Sequence, residues 1–362
     1  MKSSRELLES LCNAMGVSGF EDEVRELIRE FVTPLVDEVW TDALGNLFAV
    51  RHGESTPETA HVKTPTLMLA AHMDEVGLAV SHVEGSGMLR FVTVGGLDER
   101  VLPAQVVVLR TRGGKRINGV IGTTPPHIQK DDERRKPYSL DAMFIDVGAR
   151  SRDEVADLGL RVGDCAVADR TFRPLTGDAV LGRAFDDRAG CTVLIRVLQE
   201  LSQLPRLPIR VAAAFTTFEE IGARGAHVAA YTINPDVALV LEGTVAADVP
   251  GVPAHRCPSR QGCGPVITIM DAHTHCSPKV TAMLEQLADA GAIPWQNKTP
   301  TFGGSDAARI HISRHGVPTG VVSVPCRYIH SSAATLRLSD LEQTVKLVKA
   351  FAETSADLVH KN

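Results

Sequence analysis

Two patterns of apolar residues follow one another along this chain, and their order limits the folds available to it. Residues 1–75 and 173–362 contain short apolar runs that alternate with helical patterns, and the run at 66–71 is continuously apolar. Such strands, buried on both faces, are typical of a mostly parallel sheet. Residues 76–172 instead contain short Val- and Ile-rich segments interrupted by glycines. The sequence therefore predicts an α/β fold, in which a mostly parallel central sheet flanked by helices is interrupted by an inserted small β-barrel domain.

Composition and charge exclude several classes of protein. The 362 residues are 44% hydrophobic and 23% charged, which excludes intrinsic disorder for most of the chain. The net charge of −6 offers no basic surface for nucleic acid or for an anionic membrane. No apolar run is long enough to cross a bilayer. The seven scattered cysteines include no C-x-x-C pair, which favours a reducing, cytoplasmic location.

Side chains that can bind metal or move a proton follow the apolar strands of the predicted sheet. The strands predicted at 66–71, 209–217, 237–241 and 319–324 are each followed by such groups, and another lies just before the helix predicted at 188–201. Ligands of open α/β sheets bind beyond the carboxyl ends of the strands, so we expect these groups to meet in one crevice. In chain order they are His72, Asp186, Glu219, Glu220, Glu242 and His330.

The types of these side chains point to a metal centre. Two imidazoles and three of these four carboxylates suit Zn²⁺, and also Co²⁺ or Mn²⁺. One carboxylate that bridges two ions, each with a histidine and a further carboxylate, would hold the ions about 3.5–4 Å apart. Asp74 lies two residues after His72, so on an extended chain its carboxylate can accept the second ring N–H of that histidine. Of the adjacent Glu219 and Glu220, one can bind metal while the other serves as general base.

Each of these motifs also has an ordinary structural explanation. A single H-x-D motif is typical of a surface or core histidine, and a Glu-Glu pair is typical of a solvated helix face. An Asp-Asp pair ahead of a helix is typical of an N-cap that interacts favourably with the helix dipole. The metal interpretation therefore depends on all the groups lying at strand ends, or at a helix start, within one sheet.

Six motifs occur in an order that resembles one known family over essentially the whole chain. The motifs are AHMDEVG (71–77), GRAFDDRAG (182–190), FEEIGARGA (218–226), LEGTVAADVPG (241–251), FGGSDA (302–307) and RYIHS (327–331). Together they resemble metallopeptidase family forty-two. Its members are glutamyl, leucyl and lysyl aminopeptidases related to the tetrahedral peptidases, and they are often mislabelled as endoglucanases.

The resemblance implies a zinc-exopeptidase-like fold and a role for each candidate residue. It implies two divalent ions per subunit, most readily Zn²⁺, with Asp186 bridging them and with His72 and His330 on different ions. Glu220 would complete one metal shell and Glu242 the other. The implied reaction removes N-terminal residues from short peptides, with a metal-bridging hydroxide as nucleophile, Glu219 as general base and Asp74 as the partner of His72. The resemblance also implies a homo-oligomer, from dimer to dodecamer, associated through the inserted β domain.

The chain departs from the family pattern at a few positions. Glu242 stands where the family often has Asp, which keeps a carboxylate but can alter metal occupancy or geometry. After RYIHS many members carry a glutamate three or four residues on, whereas this chain has Ser332, Ala333 and Ala334. Ser305 in FGGSDA replaces the commoner Thr.

Several further polar residues lie outside this ligand set. His273 and His275 form an H-x-H motif, which we interpret as the rim of a loop that leads into a helix at 278–290, with a role in the substrate pocket as the alternative. His127 lies in a polar, proline-rich segment at 123–137 that is expected to be an exposed loop. Gly303 to Ser305 are expected to shape the rim of the pocket, and Asp306 to cap a helix.

Two other functions compete with peptide hydrolysis at this stage. A carbohydrate hydrolase would use two carboxylates as acid and base across a glycosidic bond, but that chemistry needs no histidine. An assembly or binding scaffold would keep the fold with a degenerate site, although the complete set of histidines and carboxylates argues against it. The preferred N-terminal residue cannot be inferred from the sequence.

Overall fold

The computed structural model describes residues 1–54, 64–131, 136–299 and 302–359. The part of the predicted loop at 132–135 therefore lies outside the described residues. The amino-terminal segment contains α1 (Ser4–Asn13), α2 (Asp22–Val32), β1 (Glu38–Thr41), β2 (Leu47–Arg51) and β3 (Thr66–His72). The next segment contains β4 (Gly77–Val83), β5 (Leu89–Val94), β6 (Val106–Arg110), β7 (Arg116–Thr123), β8 (Met143–Asp146), α3 (Arg152–Asp157) and β9 (Cys165–Ala168).

The remaining elements lie between residues 173 and 359. They are β10 (Arg173–Pro174), β11 (Ala179–Gly182), α4 (Phe185–Ser202), β12 (Arg210–Thr216), α5 (Arg224–Ile233), β13 (Val237–Val245), β14 (Val266–Thr268), α6 (Pro278–Ala290), β15 (Gln296–Asn297), α7 (Ala307–Ile310), β16 (Thr319–Cys326), β17 (Ala334–Arg337), α8 (Leu338–Thr354) and α9 (Ala356–Val359). Within the described ranges, no helix is long and apolar enough to cross a membrane.

The central sheet has eight strands in the order β1-β2-β12-β3-β13-β16-β14-β15. The four middle strands β12, β3, β13 and β16 run parallel, which confirms the predicted parallel core of the sheet. The antiparallel edge strand β1 has only two half-buried residues, Val39 and Trp40, and its weak apolar pattern explains why the sequence does not predict it.

Both faces of the central sheet are covered by helices, because its middle strands are apolar on both sides. In β3, Leu67, Leu69 and Ala71 pack in one core with residues of α1, α4 and α8. Met68 and Ala70 point the other way and pack with residues of α5 and α7. By the same alternation, the His72 side chain emerges on the α5 and α7 side of the sheet.

The segment that the sequence assigns to an inserted domain forms a closed barrel. Its six strands follow the order β4-β5-β8-β7-β6-β9, and closure pairs every strand with two neighbours. Leu78, Phe91, Leu109 and Ile145 are among the buried residues that fill its interior. The predicted β-barrel is thus confirmed. The predicted domain bounds, 76–172 for the inserted domain and 1–75 with 173–362 for a catalytic domain, stay a prediction.

A buried ion-pair cluster joins the end of β3 to the start of α4. Glu75 accepts hydrogen bonds from Arg183, from Arg188 (3.2 Å) and from the backbone N–H of Gly16 (3.1 Å). The Glu75 and Arg183 side chains are 4% and 6% exposed, and that of Arg188 is fully buried. This cluster fixes the two chain segments that carry His72 and Asp186.

We expect Glu75→Gln to lower the free energy of unfolding by about 3 kcal/mol, because two buried guanidinium groups would lose their counter-charge. Chemical denaturation of the purified variant measures the effect. The matched control is Arg100→Gln, which removes an exposed pair with Asp98 and should change stability very little. If both substitutions shifted the denaturation midpoint equally, the buried cluster would contribute no more to stability than an exposed ion pair does.

Candidate active site

The predicted site residues lie together at the carboxyl ends of the middle strands. His72 is the last residue of β3, and Glu219 and Glu220 follow β12 by three and four residues. His330 follows β16, and Asp186 lies in the first turn of α4. The parallel arrangement of these strands brings residues far apart in the chain to one edge of the sheet, as the sequence predicts.

The position of Glu242 differs from the prediction. The apolar run ends at Leu241, so the sequence places Glu242 just beyond a strand, but β13 continues to Val245. The extension arises because Glu242 to Val245 pair in register with Ser323 to Cys326 of β16. Glu242 is therefore held by backbone hydrogen bonds of the sheet rather than by a loop.

One group of possible ligands surrounds the His72 ring. Its Nε2 atom lies 3.1 Å from Asp186 Oδ1 and 3.5 Å from Glu242 Oε2. The His72 side chain is 1% exposed and that of Glu242 is 8% exposed, so this group is buried.

A second group of possible ligands surrounds the His330 ring. Its Nε2 atom lies 3.3 Å from Asp186 Oδ2 and 3.3 Å from Glu220 Oε1. Asp186 thus directs one oxygen towards His72 and the other towards His330, which is the arrangement expected of a carboxylate that bridges two ions.

The spacing of these atoms fits metal binding. Tetrahedral Zn²⁺ with bonds of about 2.0–2.2 Å places neighbouring ligand atoms roughly 3.3–3.5 Å apart. The four distances from the Nε2 atoms of His72 and His330 to these carboxylate oxygens fall between 3.1 and 3.5 Å. Among the residues that the structure describes, buried Glu242 Oε1 has no hydrogen-bond partner, an unfavourable state for a carboxylate that a cation would relieve. The residues present therefore fit a pair of divalent cations.

Asp74 supports both the histidine ring and the glutamate loop. His72 Nδ1 lies 3.1 Å from the backbone carbonyl oxygen of Asp74 and 3.4 Å from its carboxylate Oδ1, so the shorter contact is to the backbone rather than to the predicted carboxylate. The same carboxylate accepts hydrogen bonds from the backbone N–H groups of Glu219 (2.9 Å) and Glu220 (3.1 Å), and from Ser18 Oγ (2.6 Å). Sequence reasoning missed this second role, because nothing local to Asp74 indicates which loop will pack against it.

Glu219 lies beside the two groups and belongs to neither of them. Its Oε2 is 3.9 Å from His72 Nε2. Burial raises the pKa of the Glu219 carboxyl well above its usual range, with His72 opposing the shift and the nearby carboxylates of Glu242 and Asp306 reinforcing it. A carboxyl group with a raised pKa is suited to accept and return a proton near neutral pH.

Two buried aspartates lie beside the site, and one of them, Asp187, forms the N-cap that the sequence analysis gave as the ordinary explanation of an Asp-Asp pair. Asp187 accepts hydrogen bonds from the backbone N–H groups of His72 (3.2 Å) and Gly190 (2.8 Å). It therefore caps the regular part of α4, while the adjacent Asp186 faces the candidate metals. The other aspartate, Asp306, lies at the N-cap position of α7, as the sequence predicts. Its buried carboxylate, however, makes no capping hydrogen bond and accepts one from Thr216 instead.

A cavity of about 740 Å³ opens over the candidate metal ligands. Gly303, Gly304 and Ser305 line it, in agreement with the predicted role of this segment, and so does His273. His275 and His127 are exposed and are not among the residues that line it. The cavity provides space for a peptide end beside Glu219.

Comparison with known proteins decides the family. A family model described as M42 glutamyl aminopeptidase matches residues 45–347. The chain belongs to the M42 peptidase family. It is therefore a metal-dependent aminopeptidase, a hydrolase that acts on peptide bonds.

Individual M42 relatives match along almost their whole length. A lysyl aminopeptidase of Pyrococcus furiosus is 34% identical, over 96% of each chain. An aminopeptidase of the archaeon Desulfurococcus kamchatkensis, of known structure, is 40% identical with a TM-score of 0.91, covering 97% of this chain and 94% of its own. A TET1 peptidase of Pyrococcus horikoshii, described as assembling into a tetrahedron or a large octahedral shell, is 33% identical with a TM-score of 0.84, covering 97% and 99%.

Proposed function

We propose that this M42 peptidase is a dinuclear enzyme that removes N-terminal residues from short peptides. The observation that carries the proposal is the bridging position of Asp186, whose two oxygens lie 3.1 and 3.3 Å from imidazole nitrogens of different chain segments. His72 and Glu242 would complete the site of one ion, and His330 and Glu220 that of the other. Zn²⁺ suits these ligands best, with Co²⁺ and Mn²⁺ as alternatives.

The protein groups would divide the work of peptide hydrolysis. When bound, the ions would polarise the scissile carbonyl and make an attacking water acidic enough to react at neutral pH. Glu219 lies at the cavity wall, where its carboxylate can take a proton from that water and return it to the leaving amine. Asp74 keeps Glu219 in place through the backbone N–H bond, so it is a positioning residue.

The cavity wall also offers a group to one end of a peptide. Glu219 lines the cavity beside Glu220 and Glu242, and its carboxylate, which lies outside both ligand groups, is available to a positively charged N-terminal amine. The same set of side chains, with its two histidines, supports peptide hydrolysis over carbohydrate hydrolysis and over a degenerate scaffold.

We further propose a homo-oligomer in a reducing, cytoplasmic setting. Support for the oligomer comes from the shell-forming TET1 relative. Support for the reducing setting comes from the seven cysteines, all of which are free thiols.

Metal-reconstitution kinetics test the proposed function. Chelator-treated protein should be inactive towards aminoacyl-p-nitroanilides, and addition of Zn²⁺, Co²⁺ or Mn²⁺ should restore release of nitroaniline. An N-acetylated aminoacyl-p-nitroanilide is the matched control substrate, and it should resist cleavage because it lacks the free amine. Cleavage that continues after chelation would contradict the proposal. So would metal-free protein that stays inactive after the metal ions are added back.

A further inference from the structure

A row of side chains crosses the central sheet from the candidate metal centre towards its far edge. Glu242 of β13 is in register with Ser323 of β16. Two residues earlier on the same face of β16, Val321 is in register with Thr268 of β14. All four residues line the large cavity. The floor of the cavity is therefore a continuous strip of sheet that leads away from the metal ligands.

Lys298 lies at the outer end of this strip. It follows β15, and its backbone N–H donates to the Ile267 carbonyl (3.0 Å), which places Lys298 beside Thr268. Its side chain is half-buried and lines the cavity, with Nζ 5.7 Å from the centre of the Phe302 ring. Within the four described ranges, Lys298 forms no ion pair with a carboxylate.

Two buried hydroxyl groups in the cavity wall also have no hydrogen-bond partner among the described residues. Thr268 is 1% exposed and Ser305 is 5% exposed, and the side-chain oxygen of each is buried without a partner. Buried polar groups are normally paired, so these hydroxyl groups are available to a bound ligand. Thr268 is the neighbour of Lys298 on the sheet, and an ammonium group beside a hydroxyl donor suits an anionic oxygen.

The acidic residue at this end of the cavity is already engaged. Asp271 lines the same cavity, but its Oδ1 accepts backbone N–H bonds from His273 (2.8 Å) and Thr274 (2.7 Å). The carboxylates of the cavity are otherwise concentrated at the metal centre. The candidate metal ligands thus lie at one end of the cavity, and Lys298, which has no ion-pair partner among the described residues, lies at the other.

We propose that Lys298 and Thr268 form a subsite for a carboxylate of the substrate. The proposal rests on the proposed aminopeptidase function, because the free amine must bind at the metal centre for a carboxylate to reach this end. Three strand spacings and an offset of two residues along the strands separate the backbones of Glu242 and Lys298 by about 16 Å. Both residues line the cavity, so a short substrate that lies in it can contact both ends. The carboxylate belongs either to an acidic N-terminal residue or to the C-terminus of a short peptide.

Two pairs of substrates, matched in shape, distinguish these sources. Glutamyl- and glutaminyl-p-nitroanilide differ in the side-chain carboxylate, and leucyl-alanine and leucyl-alaninamide differ in the C-terminal carboxylate. We expect the wild type to prefer the acid in one pair by about tenfold in kcat/KM, and Lys298→Met to abolish that preference. Lys298→Arg should restore most of it. Lys346→Met, on the exposed side of α8, is the control and should leave both ratios unchanged.

Binding measurements separate this subsite from the proposed function. Calorimetry on metal-loaded Glu219→Gln protein gives Kd for the same four compounds without turnover, with and without Lys298→Met. A Lys298-dependent preference for the acid supports the subsite even if the wild type hydrolyses nothing. Equal binding of acid and neutral partners by protein with Lys298 intact would overturn it. So would an equal loss of binding for all four compounds in Lys298→Met, since that marks a structural role.

Discussion

Glu219→Gln is expected to lower kcat by about 10²–10⁴-fold while the protein keeps both metal ions. Glutamine has the shape of glutamate, and the backbone N–H of residue 219 would still donate to Asp74, so the loop should stay in place. The amide cannot take a proton from water near neutral pH. Because Glu219 lies outside both ligand groups, its loss should remove proton transfer without releasing metal.

The measurement combines turnover of a leucyl chromogenic substrate with elemental analysis of bound metal. Glu285→Gln on α6 is the control for the substitution chemistry, and it should retain wild-type kcat and metal content. A Glu219→Gln protein that loses one equivalent of metal would show that this residue is a ligand instead of the base. Turnover of the variant at the wild-type rate would show that Glu219 takes no part in the reaction.

Asp186→Ala is expected to release both ions and abolish activity, whereas His330→Ala should release only one. Asp186 is the residue whose two oxygens face both imidazoles, so its removal takes a ligand from each site. Removing a group that only hydrogen-bonds to a metal ligand typically weakens metal affinity by about 10–100-fold. Removing a ligand shared by two ions should therefore weaken it more. Glu242→Ala should release the ion that His330→Ala retains.

Isothermal titration calorimetry of the metal-free variants with Zn²⁺ gives the number of ions bound per subunit. The expected values are two ions for the wild type, one for His330→Ala and none for Asp186→Ala at micromolar metal. Asp141→Ala, an exposed residue in the barrel segment, should bind two ions like the wild type. Two tight ions in Asp186→Ala would rule out the bridging role.

Sequence patterns predict the structure correctly where it depends on residues that are neighbours in the chain. Continuous apolar runs predicted the buried parallel strands, and glycine-interrupted short segments predicted the barrel, since both patterns follow from the burial of neighbouring residues. The order of the chemically active residues along the strands also predicted their shared edge of the sheet. The same local signal failed for Glu242, because the continuation of β13 depends on pairing with β16.

The remaining features depend on contacts between distant segments. The sequence alone determined the α/β architecture, the inserted barrel and the types of ligand available, because each follows from residue chemistry and periodicity within a few neighbouring positions. Only the tertiary structure decided that Asp186 lies between His72 and His330, that Asp74 holds the glutamate loop, and that Lys298 lies at the end of the cavity. These distances are set by strand order and crossover connections, which bring together side chains whose local sequences carry no information about one another.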